Sequence, residues 1–113
     1  MTVLQRIRLN MIELKKKFIK CGKLYTQLYK DENIVIYQIK ILSINVKYYE
    51  VFKYTIHEKD VYHNDLFELY PNKDDFGDWA FSCTSPLSLI SIIKQHFPNI
   101  TYKKELFNAL CQQ

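Results

Sequence analysis

Apolar residues recur along this chain with two different periods, and the change of period divides it into regions. From residue 3 to about residue 20, Leu4, Ile7, Met11, Leu14 and Phe18 step by three and four. That spacing lines one face of an α-helix. It predicts an amphipathic N-terminal helix, with Ile12 and Ile19 widening the apolar face and Leu9 left off it. Thr2 and Gln5 stand at capping-box spacing, and Lys15, Lys16, Lys17 and Lys20 crowd the last turns, where cations meet the negative end of the helix dipole. Gly22 follows as a left-handed C-cap. From Asn33 to His57 the period falls to two, in a stretch rich in β-branched and aromatic residues and free of Gly and Pro. Within it, 34–42 sets Val35, Tyr37, Ile39 and Ile41 on one face and Ile34, Ile36, Gln38 and Lys40 on the other. A second strand, 46–57, alternates Tyr48, Glu50, Phe52, Tyr54 and Ile56 with Tyr49, Val51, Lys53, Thr55 and His57. Neither face of that strand is purely apolar, which suggests a bulge.

The flanking segments complete the outline. Residues 23–29 read as a strand or a helix continuation, and Lys30-Asp31-Glu32-Asn33 as a turn that would pair them with 34–42,. Residues 58–64 are polar and read as a loop; 65–70 give a short strand closed by Pro71, and 79–83 a last strand,. Ser85 caps a helix with Pro86 at its first position and Leu89, Ile90, Ile93 and Phe97 inward, and Pro98-Asn99 stops it,. Leu106, Phe107 and Leu110 suggest a short further helix over 101–113. The expected architecture is α+β in one domain, residues 1–113. It comprises an N-terminal helix, an antiparallel meander of four to five strands, and one or two C-terminal helices packed on one sheet face.

Composition narrows the class. An apolar fraction of 48% with 15% aromatic residues supplies a packed core and excludes disorder for the body of the chain. No apolar run approaches 18 residues, so a transmembrane helix is not expected,. The N-terminus lacks the charge order and cleavage site of a signal peptide, so a cytoplasmic location is expected. Cys21, Cys83 and Cys111 are odd in number and form no CxxC pair, which reads as reduced structural thiols. The net charge of +4 permits contact with nucleic acid without requiring it.

Three groups of residues carry candidate chemistry. Lys15, Lys16, Lys17, Lys20 and Lys23, with Lys53, make a candidate phosphate-contacting set,. Sheet tyrosines Tyr25, Tyr37, Tyr48, Tyr49 and Tyr54 would add base stacking if exposed,. The bland alternative is a solvated lysine face over ordinary β-propensity tyrosines. His57, Glu58, Asp60, His63 and Asp65 are the densest potential metal ligands. Their spacing matches no established metal motif, and a polar loop is the simpler account. The Asp75-Phe76-Gly77 triplet stands without the other kinase elements,. It reads as a turn in which Gly77 supplies unusual dihedrals while Phe76 and Trp79 anchor the loop or, with Tyr49, face a partner.

The segments YEVFK (Tyr49 to Lys53), Tyr70-Pro71 and DDFGDWAF (Asp74 to Phe81) resemble small uncharacterised proteins of bacteriophages and mobile elements of Bacteroidetes, over about residues 20 to 97. The resemblance implies a compact accessory protein and carries over no catalytic residue. The leading expectation is therefore a non-catalytic phage or mobile-element accessory protein without cofactor or metal. It would bind nucleic acid through the lysine-rich helix end and the aromatic sheet. Alternatives are a protein-binding inhibitor or structural adaptor, with self-association open, and a small metal-dependent enzyme.

Overall fold

The computed structural model of the chain describes residues 11–60 and 65–98, together with Asn108. In chain order it contains β1 (Met11–Ile12), β2 (Lys17–Lys20), β3 (Lys23–Lys30), β4 (Ile34–Ile41), β5 (Val46–Lys53), β6 (Ile56–Asp60), β7 (Asp65–Glu68), a 3-10 turn (Lys73–Asp75), β8 (Ala80–Cys83) and α1 (Pro86–His96). Five strands form an antiparallel sheet in the order β2-β3-β4-β5-β8. Three form a smaller sheet in the order β1-β7-β6, with β1 parallel to β7 and β6 antiparallel to it. The class is α+β, as the hydrophobic pattern predicts. Among the described residues no helix is long and apolar enough to cross a membrane.

β4 is the centre of the large sheet and is covered on both faces. The alternation predicted for it holds. Ile34 and Ile36, with Tyr49 and Val51 of β5, pack beneath Leu89 and Ile93 of α1. Val35, Tyr37 and Ile39, with Phe52 and Ala80, form the opposite core, against which Phe18, Tyr25, Tyr70, Phe76 and Trp79 pack. The α1 start is as predicted: Ser88 N–H donates to Ser85 Oγ at 3.1 Å, with Pro86 in the first turn. A second C-terminal helix, expected over 101–113, lies outside the described residues except for Asn108.

Three expectations are corrected. Residues 11–20 are not helical: β2 runs antiparallel to β3, and Cys21-Gly22, both at positive φ (52° and 73°), form a two-residue hairpin turn,. The glycine read as a helix cap is thus the second residue of a turn, and residues 1–10 lie outside the described set. Second, the strand expected over 46–57 breaks after Lys53. Lys53 N–H donates to Trp79 O, Tyr54 N–H to Asn33 O, and the chain then crosses to the smaller sheet as β6. β6 extends through Asp60, into what reads from the sequence as loop. Third, β5 keeps continuous register with β4, and the irregularity lies in β3, between Gln27 and Tyr29.

Glu68 joins the two sheets. From β7 it accepts both a bidentate pair from Lys30 Nζ of β3 (2.7 and 2.8 Å) and Leu14 N–H (2.8 Å). Tyr54 Oη donates to it as well. Burial works to raise its pKa, but the Lys30, Tyr54 and Leu14 donors outweigh burial and hold the carboxyl below its ordinary value,. The same carboxylate and burial push the Tyr54 hydroxyl well above the usual phenol range.

Candidate functional site

A cleft of about 480 Å3 opens where four strand and helix ends meet. Asn33 precedes β4, Lys53 ends β5, Asp78 and Trp79 lead into β8, Phe81 lies on β8, and His96, Phe97 and Pro98 end α1. Backbone bonding fixes this convergence. Lys53 N–H donates to Trp79 O at 3.0 Å, and Asn33 O accepts Tyr54 N–H at 2.9 Å. The turn before β8 is closed by Gly77, at φ 96°, whose N–H donates to Ala80 O at 2.8 Å. The Trp79 ring stands edge-on to Phe52, with centroids 6.1 Å apart, and is half-buried. Phe81 stacks on His96 at 4.0 Å and meets Phe97 edge-on at 6.1 Å.

Chemically the cleft combines aromatic surfaces with one exposed ammonium, an imidazole, an amide and a carboxylate. Aromatic walls and a flanking cation suit a flat, electron-rich ring attached to an anionic chain. The Asp78 carboxylate and the negative end of α1 disfavour an anion deep in the cleft. An anionic chain is therefore directed to the Lys53 side.

The predicted lysine set is divided. Lys53 borders the cleft at the β8 edge. Lys15, Lys16, Lys17, Lys20 and Lys23 lie at the β2–β3 edge, two to three strand spacings from β5, which is about 10–14 Å,. There they spread over both faces. The register puts Lys17 on the α1 side with Thr26, whereas Lys20 and Lys23 pair on the other. Lys23 Nζ donates to Tyr48 Oη at 3.1 Å, which raises the Lys23 pKa.

Of the tyrosines expected as a stacking platform, Tyr37 and Tyr49 are core residues, while Tyr25, Tyr48 and Tyr54 are half-buried on the sheet face opposite α1. Tyr37 is fully buried and Tyr49, expected on an interaction surface, is only 6% exposed beneath α1. Tyr37 Oη instead donates to Lys15 O at 2.5 Å and accepts from Gln27 Nε2 at 3.2 Å, tying the segment before β2 to the sheet. Phe76 is half-buried against the core, and of the three residues expected at an interaction surface Trp79 alone borders the large cleft. Asn33, Phe81, His96 and Phe97 were not singled out for chemistry, since only the fold brings them beside Lys53. Of the candidate metal ligands, the side chains of residues 58–65 lie outside the described set. His57 packs edge-on against Phe67 at 5.2 Å. Among the described residues no group of three or more His, Cys, Asp or Glu is placed to hold a metal.

No family model, no curated protein and no solved structure matches the chain.

Proposed function

We propose that the protein is a non-catalytic nucleic-acid-binding protein, of the accessory kind found in phages and mobile elements, acting in the cytoplasm. In this reading it takes an unpaired base of a single strand into the cleft at the β8 edge. The observation that carries this reading is the meeting of Trp79, Phe81 and Phe97 with Lys53 and Asn33 in one open cleft. Aromatic faces give sequence-tolerant stacking worth about 1–3 kcal/mol per base. Lys53 serves the phosphate chain, and the net charge of +4 favours approach of a polyanion,. Lys15, Lys16, Lys17, Lys20 and Lys23 become a distal set that engages only a longer strand.

The single tryptophan makes the test direct, because Trp79 lies in the cleft itself. Titration with a short oligothymidylate quenches Trp79 fluorescence, and the affinity falls as salt rises. Lys53→Glu weakens binding about tenfold or more, as expected when one phosphate contact is reversed in sign. Changing Lys15, Lys16 and Lys17 together to Glu spares a short strand and weakens a long one. Absence of quenching at low salt removes the proposal.

The runner-up, a protein-binding inhibitor or adaptor, draws on the β4–β5 turn. Leu42, Ile44 and Val46 there are 46%, 63% and 48% exposed. Such a run at a hairpin tip fits a protein partner better than a polyanion.

A further inference from the structure

A second pocket, of about 240 Å3, lies on the sheet face opposite α1, and its floor is unlike that of the first. It is lined by Glu50, Phe18, Tyr25, Tyr70 and Phe76, with Lys20 at its edge. Glu50 projects from β5 on the face shared with Tyr48 and Phe52 and is only 9% exposed. Among the described residues two carboxylates are buried, and they are treated differently. Glu68 is neutralised by Lys30. Glu50 accepts a hydrogen bond from the neutral Tyr70 hydroxyl, while Lys23, which acts on it through space, gives its own hydrogen bond to Tyr48. A carboxylate held under aromatic rings without a bonded cation is costly to bury.

The rings around it form two walls at right angles. Phe18 and Tyr25 stack in parallel at 4.5 Å, and Tyr70 crosses them at 89° and 84° with centroids 6.1 and 5.7 Å away. Ring faces and an acid together attract a weakly hydrated cation. A shallow depression of about 380 Å3 shares Phe18, Lys20 and Tyr70 with this pocket and adds Leu14 and Ile19, with Glu13 and Lys15 also on its lining. It offers space for an apolar stem.

We propose that this pocket binds an alkylammonium group, with the cation over the Tyr25 and Tyr70 rings toward the Glu50 carboxylate and its substituent along Phe18. The proposal is independent of the cleft at the β8 edge. Lys20 is exposed, so its ammonium swings into water when the ligand enters. Burial, moderated by Tyr70 and Lys23, raises the Glu50 pKa, so the affinity rises with pH as the carboxylate ionises.

The test uses the full chain and two probes of the same shape, choline and its neutral tert-butyl analogue, followed by NMR shifts of the aromatic rings. Choline gives saturable shifts at Phe18, Tyr25 and Tyr70, and the neutral analogue binds at least about tenfold more weakly. Glu50→Gln, which retains an acceptor for Tyr70, weakens choline by about tenfold. Lys20→Gln, which removes the competing cation, tightens it. Three outcomes overturn the proposal: equal binding of the two probes, choline affinity unchanged in Glu50→Gln, or weakening by Lys20→Gln. Inorganic phosphate binding that disappears in Lys20→Gln likewise overturns it and identifies an anion site. Tyr25→Leu is the third variant, and it loses choline binding while leaving Glu50 in place.

Discussion

Glu50 and Glu68 are buried within one small core and respond to pH in opposite directions. The folded-state pKa of Glu68 lies below its ordinary 4.5. Its contribution to stability is therefore complete above that value and is lost as pH falls through the lower folded one. Glu50 is raised above 4.5 by burial. The folded state then holds its proton more tightly than the unfolded chain does, so Glu50 costs stability increasingly as pH rises through that interval. Urea midpoints between about pH 3 and pH 8 separate the two. Glu50→Gln raises the neutral end of the curve and leaves the acid end almost unchanged. Glu68→Gln lowers the neutral end by about 2–3 kcal/mol, the worth of hydrogen bonds to a charged partner, and flattens the acid limb. Parallel curves for the two variants contradict this assignment. Alternation places Glu50 on the face of Tyr48 and Phe52, so an acid on an apolar face was visible in the sequence, as were Lys53 and Trp79. Its partner Tyr70 was not, because it reaches Glu50 from a segment outside the large sheet.

Among the elements, β4, β8 and α1 follow from local pattern, since each shows enough alternation or capping chemistry to declare itself. By contrast, 23–29 reads equally as a helix continuation, and β5 ends at Lys53 rather than at His57. β2 does not follow from local pattern. Its four residues, Lys17 to Lys20, offer only two alternations, and Leu14 and Phe18 also satisfy a helical step. What decides the matter is the turn after it. Cys21 and Gly22 both occupy left-handed dihedrals, the geometry of a tight hairpin whose preferred first residue is Asn. Nothing lies within 4 Å of a Cβ added at Gly22, so Gly22→Ala costs only the torsional penalty, about 1–2 kcal/mol. Cys21→Asn stabilises the hairpin by a few tenths of a kcal/mol, up to about 1 kcal/mol. Chemical denaturation measures both, and a neutral Gly22→Ala would count against a strained turn. The small sheet escapes the local pattern for another reason. β1 pairs in parallel with β7, Met11 with Leu66 and Ile12 with Phe67, and pairing across so long a separation leaves no periodic trace in either short strand.

At the scale of the whole molecule, the strand order sets local contacts against distant ones. β2, β3, β4 and β5 follow one another through the short connections 21–22, 31–33 and 42–45, whereas β8 joins β5 only after residues 54–79 have been laid down. Of these connections the sequence shows 31–33 and 42–45 as turn signals, whereas 21–22 reads as the cap of a helix. The sequence is silent on the last, where the chain leaves the large sheet, builds two strands elsewhere and returns. That return has a kinetic meaning. Closing a long loop carries more entropy cost than closing a short one, so the β2–β5 meander assembles first and β8, with the cleft it completes, docks after the folding barrier. Stopped-flow chevrons test the order. Ile36→Val, between Tyr29 and Val51 in the meander, slows folding, while Phe81→Leu on β8 chiefly speeds unfolding. The edge that carries Trp79 and Lys53 is then the part of the sheet that opens most readily without loss of the rest. Amide hydrogens of β8 would exchange by local opening while those of β4 await global unfolding.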